Sequence, residues 1–279
     1  MTLTLLYVPA DRPDRVRRAL AGDADAVIVD LEDAVGPARK ATARAGVPHL
    51  LAGLPAGRQV QVRVNDVRGG TGRADLVMVA SLAPEVGVRL PKVEDAATVR
   101  AVAELLPGRP LHPLLESALG VENAFTVATA HPQVAGIGLG EADLRADLGL
   151  PGGQPDPPGL AYPRSRIVVA ARAAGLPAPA QSVYPDVRDL TGLAASCRAG
   201  RAAGFHGRAA IHPAQLPVIV EAYTPTAAEL AAARELLAAS VDAEGAGPGA
   251  LALADGRFVD EAVLRTARQV VSLADRAGR

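Results

Sequence analysis

This chain of 279 residues has one cysteine, no tryptophan, few aromatics and no excess of either charge. The single cysteine, Cys197, excludes an intramolecular disulfide and gives no sign of an oxidising compartment, so a cytoplasmic setting is expected. It lies in an Ala-rich, helix-like stretch, which reads as a small core residue rather than a nucleophile. With aromatics at 3% against 49% hydrophobic residues, the core must be built from Ala, Val, Leu and Ile. The 29 basic and 30 acidic residues give a net charge of −1, which argues against a general nucleic-acid binder. No apolar run approaches the roughly 20 residues of a membrane helix. The first residues enter a strand-like run with no basic region or cleavage pattern, so neither a signal peptide nor a membrane partner is expected. The first strand is followed by Pro9-Ala10-Asp11-Arg12-Pro13 rather than a Gly-rich phosphate turn, which speaks against an open dinucleotide-binding sheet.

What is present is alternation. Strand-like runs at 3–8, 27–31, 60–64, 76–79, 88–90, 111–115, 134–139, 180–183 and 207–211 are interleaved with helix-like stretches, among them 40–51, 95–106, 121–129, 164–174 and 190–203. About eight such alternations over the first 220 residues predict an α/β fold of the (β/α)8 TIM-barrel type. After residue 223 the character changes. An Ala-rich helix capped by Thr226 and Glu229, a hairpin around Asp255-Gly256 and a last helix predict a short C-terminal extension. The expected organisation is a barrel over 1–223 and an extension over 224–279, packed on the barrel or on a neighbouring subunit. The Pro- and Gly-rich stretch 150–159 sits where barrel enzymes form entrances.

Three strand-like runs end in carboxylates: Val27-Ile28-Val29-Asp30-Leu31-Glu32-Asp33, Leu111-His112-Pro113-Leu114-Leu115-Glu116, and the run ending in Gly140-Glu141-Ala142-Asp143. A parallel sheet would gather them at one edge. Glu116 and Asp143, following neighbouring strands with no Cys or clustered His nearby, suit a hard cation such as Mg²⁺, which takes one or two carboxylates and keeps waters. The bland alternative makes each an acid at a helix start. Arg63, inside the alternation Val60, Val62, Val64, either meets a substrate carboxylate with its planar fork or pairs with Asp30 or Glu32. His112 and His212 are read as satisfied strand-end histidines as readily as bases, and Lys92 is a weak Schiff-base candidate.

Motifs in order along nearly the whole chain carry a resemblance. Leu6-Tyr7-Val8-Pro9-Ala10-Asp11-Arg12-Pro13, Asp30-Leu31-Glu32-Asp33-Ala34-Val35, Val62-Arg63-Val64-Asn65, Leu90-Pro91-Lys92-Val93-Glu94, Pro113-Leu114-Leu115-Glu116-Ser117, Asp143-Leu144-Arg145-Ala146-Asp147-Leu148-Gly149 and Ala210-Ile211-His212-Pro213 resemble the signatures of the citrate lyase beta-subunit family. This family contains the citryl-, malyl- and citramalyl-CoA lyases of the aldolase/citrate lyase superfamily. The resemblance implies Mg²⁺-dependent cleavage of a carbon–carbon bond in a 3-hydroxyacyl thioester, giving an acyl thioester and an α-keto acid such as oxaloacetate. It places Glu116 and Asp143 as metal ligands, Arg63 on the substrate carboxylate, and Glu32 and Asp33 at the acidic strand end lining the site. Lys40 and Arg44 fall where the family has basic residues near the CoA phosphates. Asp260 becomes a proton-transfer residue reaching a neighbouring subunit, which implies a homo-oligomer, expected as a trimer. The carrier stays open between CoA and acyl-carrier protein. The alternatives are a malyl- or citramalyl-CoA lyase, an aldolase on free keto acids, and a non-catalytic subunit needing citrate lyase partner subunits. The 30–33 cluster is then expected to orient Arg63 or metal-bound water.

Overall fold

The computed structural model describes residues 2–55, 57–151, 157–243, 251–252 and 258–277. They form two compact units, divided between residues 220 and 221. The larger contains seven parallel strands: β1 (Thr4–Pro9), β2 (Ala26–Asp30), β3 (Gln59–Arg63), β4 (Gly87–Leu90), β5 (Leu111–Leu115), β6 (Gly138–Leu139) and β7 (Arg208–Ala210). Their order is β6-β5-β4-β3-β2-β1-β7, so each of the first six lies beside its sequence neighbours and the last returns to the first. The sheet curls as in a TIM-like barrel. The gap between β6 and β7 is spanned by one further segment. Gln181 forms an isolated parallel bridge to Arg208, and Ser182 Oγ donates to Leu139 O.

The helices of this unit are α1 (Pro13–Leu20), α2 (Lys40–Leu50), α3 (Gly70–Ala80), α4 (Ala96–Leu105), α5 (Ala118–Glu122), α6 (Ala124–Ala128), α7 (Glu141–Asp147), α8 (Ala161–Ala173) and α9 (Leu190–Ala202); α10 (Leu216–Tyr223) runs across the unit boundary. Every residue of β2 is buried, the mark of a strand covered on both faces. Val27, Ile28, Val29, Val62, Val88, Leu90, Leu111 and Leu115 have no accessible surface, so the sheet is the heart of an aliphatic core. Two helices start on carboxylate caps: Asp95 accepts from Thr98 N before α4, and Asp189 accepts from Gly192 N before α9.

Four local expectations are corrected. The run at 76–79 is helix, not strand. It belongs to α3, where Gly72, Asp75, Leu76 and Val79 are buried at helical spacing while Val77 faces solvent. A four-residue apolar run does not reveal its period, so helix and strand are not told apart by it. The expected helix at 121–129 is two short helices interrupted at Asn123, whose side chain donates to Glu94 O. The expected strand at 134–139 pairs only at Gly138–Leu139, with an isolated bridge from Val134 to Leu111. Likewise 180–183 pairs only through Gln181.

In the smaller unit α11 (Ala227–Ala243) packs against α12 (Glu261–Ala277), with β8 (Leu251–Ala252) and β9 (Phe258–Val259) pairing antiparallel between them. The predicted Thr226–Glu229 capping box is present: Glu229 N donates to Thr226 Oγ1 and Thr226 N donates to Glu229 Oε2. The Asp255-Gly256 tip of the hairpin lies outside the described residues, as do 152–156 of the Pro- and Gly-rich stretch. Among the described residues no helix is long and apolar enough to cross a membrane.

Candidate active site

Parallel strands leave their C-terminal ends at one edge, and there the chemistry-bearing side chains collect. Asp30 ends β2, Arg63 ends β3, and the two are register partners. Lys92 follows β4, Glu116 follows β5, and Asp143 lies in the first turn of α7 after β6.

The β2–β3 side is an ion-pair lattice. Arg63 grips Asp30 with two donors, Nε to Oδ1 at 2.8 Å and NH2 to Oδ2 at 2.6 Å. Asp30 also accepts from the backbone N–H groups of Glu32 and Ala34, which folds the acidic turn back on its own strand end. Arg63 NH1 lies 2.8 Å from Glu32 Oε2 and 3.4 Å from the exposed Asp33. The Glu32 contact has ion-pair distance without hydrogen-bond geometry, leaving that buried oxygen without a hydrogen-bond donor. The Tyr7 ring lies under the guanidinium at 5.1 Å. Burial opposes the Arg63 charge, but Asp30, with Tyr7 and Glu32, more than offsets it and holds the pKa above its ordinary value.

Behind the turn, Lys40 Nζ donates to Leu31 O, to Glu32 O and to Asn65 Oδ1. Asn65 in turn bonds the buried Asp75, and Arg44 Nε closes the chain on Asp75 Oδ1 at 2.5 Å. Lys40 and Arg44, expected to face phosphates, are thus committed inward. A carboxylate as buried as Asp75 requires such partners, and Lys40 uses its donors to pin the turn that carries Glu32.

The β5–β6 side differs. Glu116 is buried, and its only hydrogen bond among the described residues comes from Lys92 N at 3.0 Å. Burial first, then the neighbouring Glu32 charge, push its pKa up to about 7. Gly140 makes the space for it: a Cβ there would stand 2.3 Å from Glu116 Cγ and Oε1. Asp143 is half-exposed and meets Lys92 Nζ at 3.1 Å. Its neighbour Glu141 is taken by Arg164, at 2.8 and 2.7 Å, so of the two acids opening α7 only Asp143 is left to the site. No group of three His, Cys, Asp or Glu among the described residues is arranged to hold a metal alone. Two carboxylates, one buried with a single backbone donor and one half-exposed, fit a hard divalent cation that completes its shell with water and substrate oxygens.

Lys92 joins the two sides of this cluster, a place that its reading as a weak Schiff-base candidate does not suggest. Its Nζ also meets Glu32 Oε1 at 2.9 Å, so it touches both sides of the site. Burial opposes its charge, but Glu32 and Asp143 raise its pKa, which is the wrong direction for a Schiff-base amine. The signals in the sequence were its place two residues after a strand and inside the signature Leu90-Pro91-Lys92-Val93-Glu94. His112 is partly exposed on β5, yet desolvation followed by the Arg89 charge holds it neutral, its pKa pushed down to about 3. His212 caps the turn after β7, its Nδ1 accepting from Ala214 N. His112 is therefore not a poised base. Asp260, in the smaller unit, is the N-cap of α12 and accepts from Val263 N. Cys197 is buried in α9, a core residue as expected.

The family model for HpcH/HpaI aldolase/citrate lyase matches residues 3–213. A (3S)-malyl-CoA thioesterase of Cereibacter sphaeroides is 38% identical over 273 residues, covering 98% of this chain and 94% of that protein. A citrate lyase subunit beta of Leuconostoc mesenteroides subsp. cremoris is 33% identical over 284 residues, covering 98% and 93%. The crystal structure of the protein CitE from Mycobacterium tuberculosis, in complex with magnesium, acetoacetate and coenzyme A, superposes with a TM-score of 0.83 at 36% identity, covering 98% of each chain.

Proposed function

This chain belongs to the HpcH/HpaI aldolase/citrate lyase family, and from that premise we propose that it is a Mg²⁺-dependent carbon–carbon lyase acting on a 3-hydroxyacyl-CoA thioester. The observation that carries the reading is the buried, under-neutralised Glu116 facing Asp143 at the strand ends of a TIM-like sheet. We take the fold as a closed (β/α)8 barrel, with the Gln181 segment as its seventh strand in chain order.

In this reading Glu116 and Asp143 hold the metal, which would act as a Lewis acid toward the α-keto acid oxygens. Arg63 binds the substrate carboxylate with donors beyond the two that Asp30 takes, the substrate displacing the long contact to exposed Asp33. Glu32 holds Arg63 and Lys92 in place. A carboxylate base removes the hydroxyl proton at C3, the C2–C3 bond breaks, its electron pair passes to the thioester enolate, and a proton returns to C2. Asp33, exposed beside Arg63, and Asp260 are the proton-transfer residues we assign, Asp260 serving its own chain or a neighbour in a homotrimer. The likeness to a CoA-bound structure now carries the choice of CoA over acyl-carrier protein, since Lys40 and Arg44 are bound inward. We place the enzyme in the cytoplasm as a stand-alone lyase rather than a subunit awaiting partners.

Hydrolysis of the thioester is a second reading, favoured by the malyl-CoA thioesterase likeness. One assay separates the two. Purified protein with Mg²⁺ is given citryl-, malyl- and citramalyl-CoA, and 2-oxo acid and free thiol are followed together. Oxo acid without thiol supports the lyase, and thiol without oxo acid supports the hydrolase. Silence with all three substrates would sink the stand-alone CoA-enzyme reading.

A further inference from the structure

Lys92 is the only non-glycine residue with positive φ among those described, at φ 54. That left-handed conformation is unfavourable for a lysine and persists where the surroundings demand it. Here it turns one residue toward three carboxylates: the backbone N–H goes to Glu116 Oε2 at 3.0 Å, and Nζ sits 2.9 Å from Glu32 Oε1 and 3.1 Å from Asp143 Oδ2. Lys92 Nζ is also the one cation in ion-pair range of Asp143 among the described residues.

Glu32 and Asp143 therefore already share a positive charge, and a divalent cation held by Glu116 and Asp143 must compete for the same Asp143 carboxylate. The two ends of Lys92 are not equivalent. Glu32 is buried, pinned through its backbone, and near Arg63 whether or not the lysine stays, whereas Asp143 is half-exposed on a helix start. Asp143 is the partner that is free to change hands.

We propose that Lys92 is a built-in counter-ion, holding Asp143 in the metal-free site and yielding it to the divalent cation while keeping Glu32. This rests on the assignment of Glu116 and Asp143 as metal ligands. Lys92 is a positioning residue in this scheme: it keeps the acids from repelling one another apart before metal arrives, at the expense of metal affinity.

Two measurements without substrate test this. In the first, Mg²⁺ is titrated by calorimetry into the wild type and Lys92→Met. The variant should bind Mg²⁺ about five- to tenfold more tightly, since a charge about 3 Å from a ligand oxygen has been removed. In the second, acetylation of Lys92 in the wild-type chain by acetic anhydride is followed by mass spectrometry with and without Mg²⁺ at constant ionic strength. Labelling should rise several-fold with Mg²⁺ as the ammonium leaves Asp143, and this arm needs no variant to fold. Equal or weaker Mg²⁺ binding by Lys92→Met, or labelling indifferent to Mg²⁺, overturns the counter-ion role and leaves the metal site standing. Failure of Mg²⁺ to bind either protein overturns the metal assignment itself.

Discussion

The two halves of the site contain the same chemical group in opposite circumstances. On the β2–β3 side, Asp30 is buried and fully answered by the Arg63 fork and two backbone N–H groups. On the β5–β6 side, Glu116 is also buried, yet it has one backbone N–H, and burial followed by the Glu32 charge raises its pKa. A buried carboxylate with an internal cation is a holder of that cation. A buried carboxylate without one is unfinished, and a metal or a proton must complete it. Counting acids along the sequence favours the Asp30–Asp33 cluster as the metal centre; counting the charges that answer them favours Glu116.

The contrast breaks most visibly on the paired side. Arg63→Met leaves Asp30 buried with two backbone N–H donors and no cation, and losing one member of a buried pair costs about 3–5 kcal/mol of folding free energy. Urea unfolding should register that loss along with the disappearance of activity. A loss under about 1 kcal/mol would mean that Asp30 does not depend on Arg63, and the holder reading of this side would fall.

On the unfinished side, neutralising the acid should have the opposite sign. The pKa of folded Glu116, pushed up to about 7, lies above the ordinary glutamate value of 4.5. Its contribution to stability is therefore fully present below pH 4.5 and is lost as pH rises through 7. In metal-free protein, Glu116→Gln should be more stable than wild type above pH 7 by up to about 3 kcal/mol, with the difference vanishing toward pH 4.5. Mg²⁺ should raise the melting temperature of the wild type and leave that of Glu116→Gln unmoved. A variant less stable than wild type at pH 8 would show that Glu116 is as well answered as Asp30.

Much of this was readable in the sequence, for a physical reason. Buried parallel strands are continuous apolar runs, so Val27–Val29 and Leu111–Leu115 announce both the sheet and the edge where Asp30 and Glu116 emerge. The pairing of Arg63 with Asp30 was one of two readings open, because strand ends of equal register meet. The inward turn of Lys40 and Arg44 was hidden because it depends on Asp75, which sits in a helix misread as a strand. Lys92 was undervalued because its role depends on a left-handed turn that Pro91-Lys92 does not advertise.

The smallest effect tests whether the room around Glu116 is built or incidental. Gly140 has an ordinary negative φ, so alanine there meets no backbone strain, and the only objection is space. Its Cβ would stand 2.3 Å from Glu116 Cγ and Oε1, a distance that forces the carboxylate to move. Overpacking of this kind costs about 1–3 kcal/mol, and because the group displaced is the assigned ligand, Mg²⁺ affinity should fall with it. Gly136→Ala is the control from the same segment, where the nearest atom to the new methyl is 3.8 Å away. Calorimetric Mg²⁺ titration of the two variants should separate them. Equal affinities would mean that Glu116 can move aside and still hold the ion, and that its place over Gly140 is not what fits it to a metal.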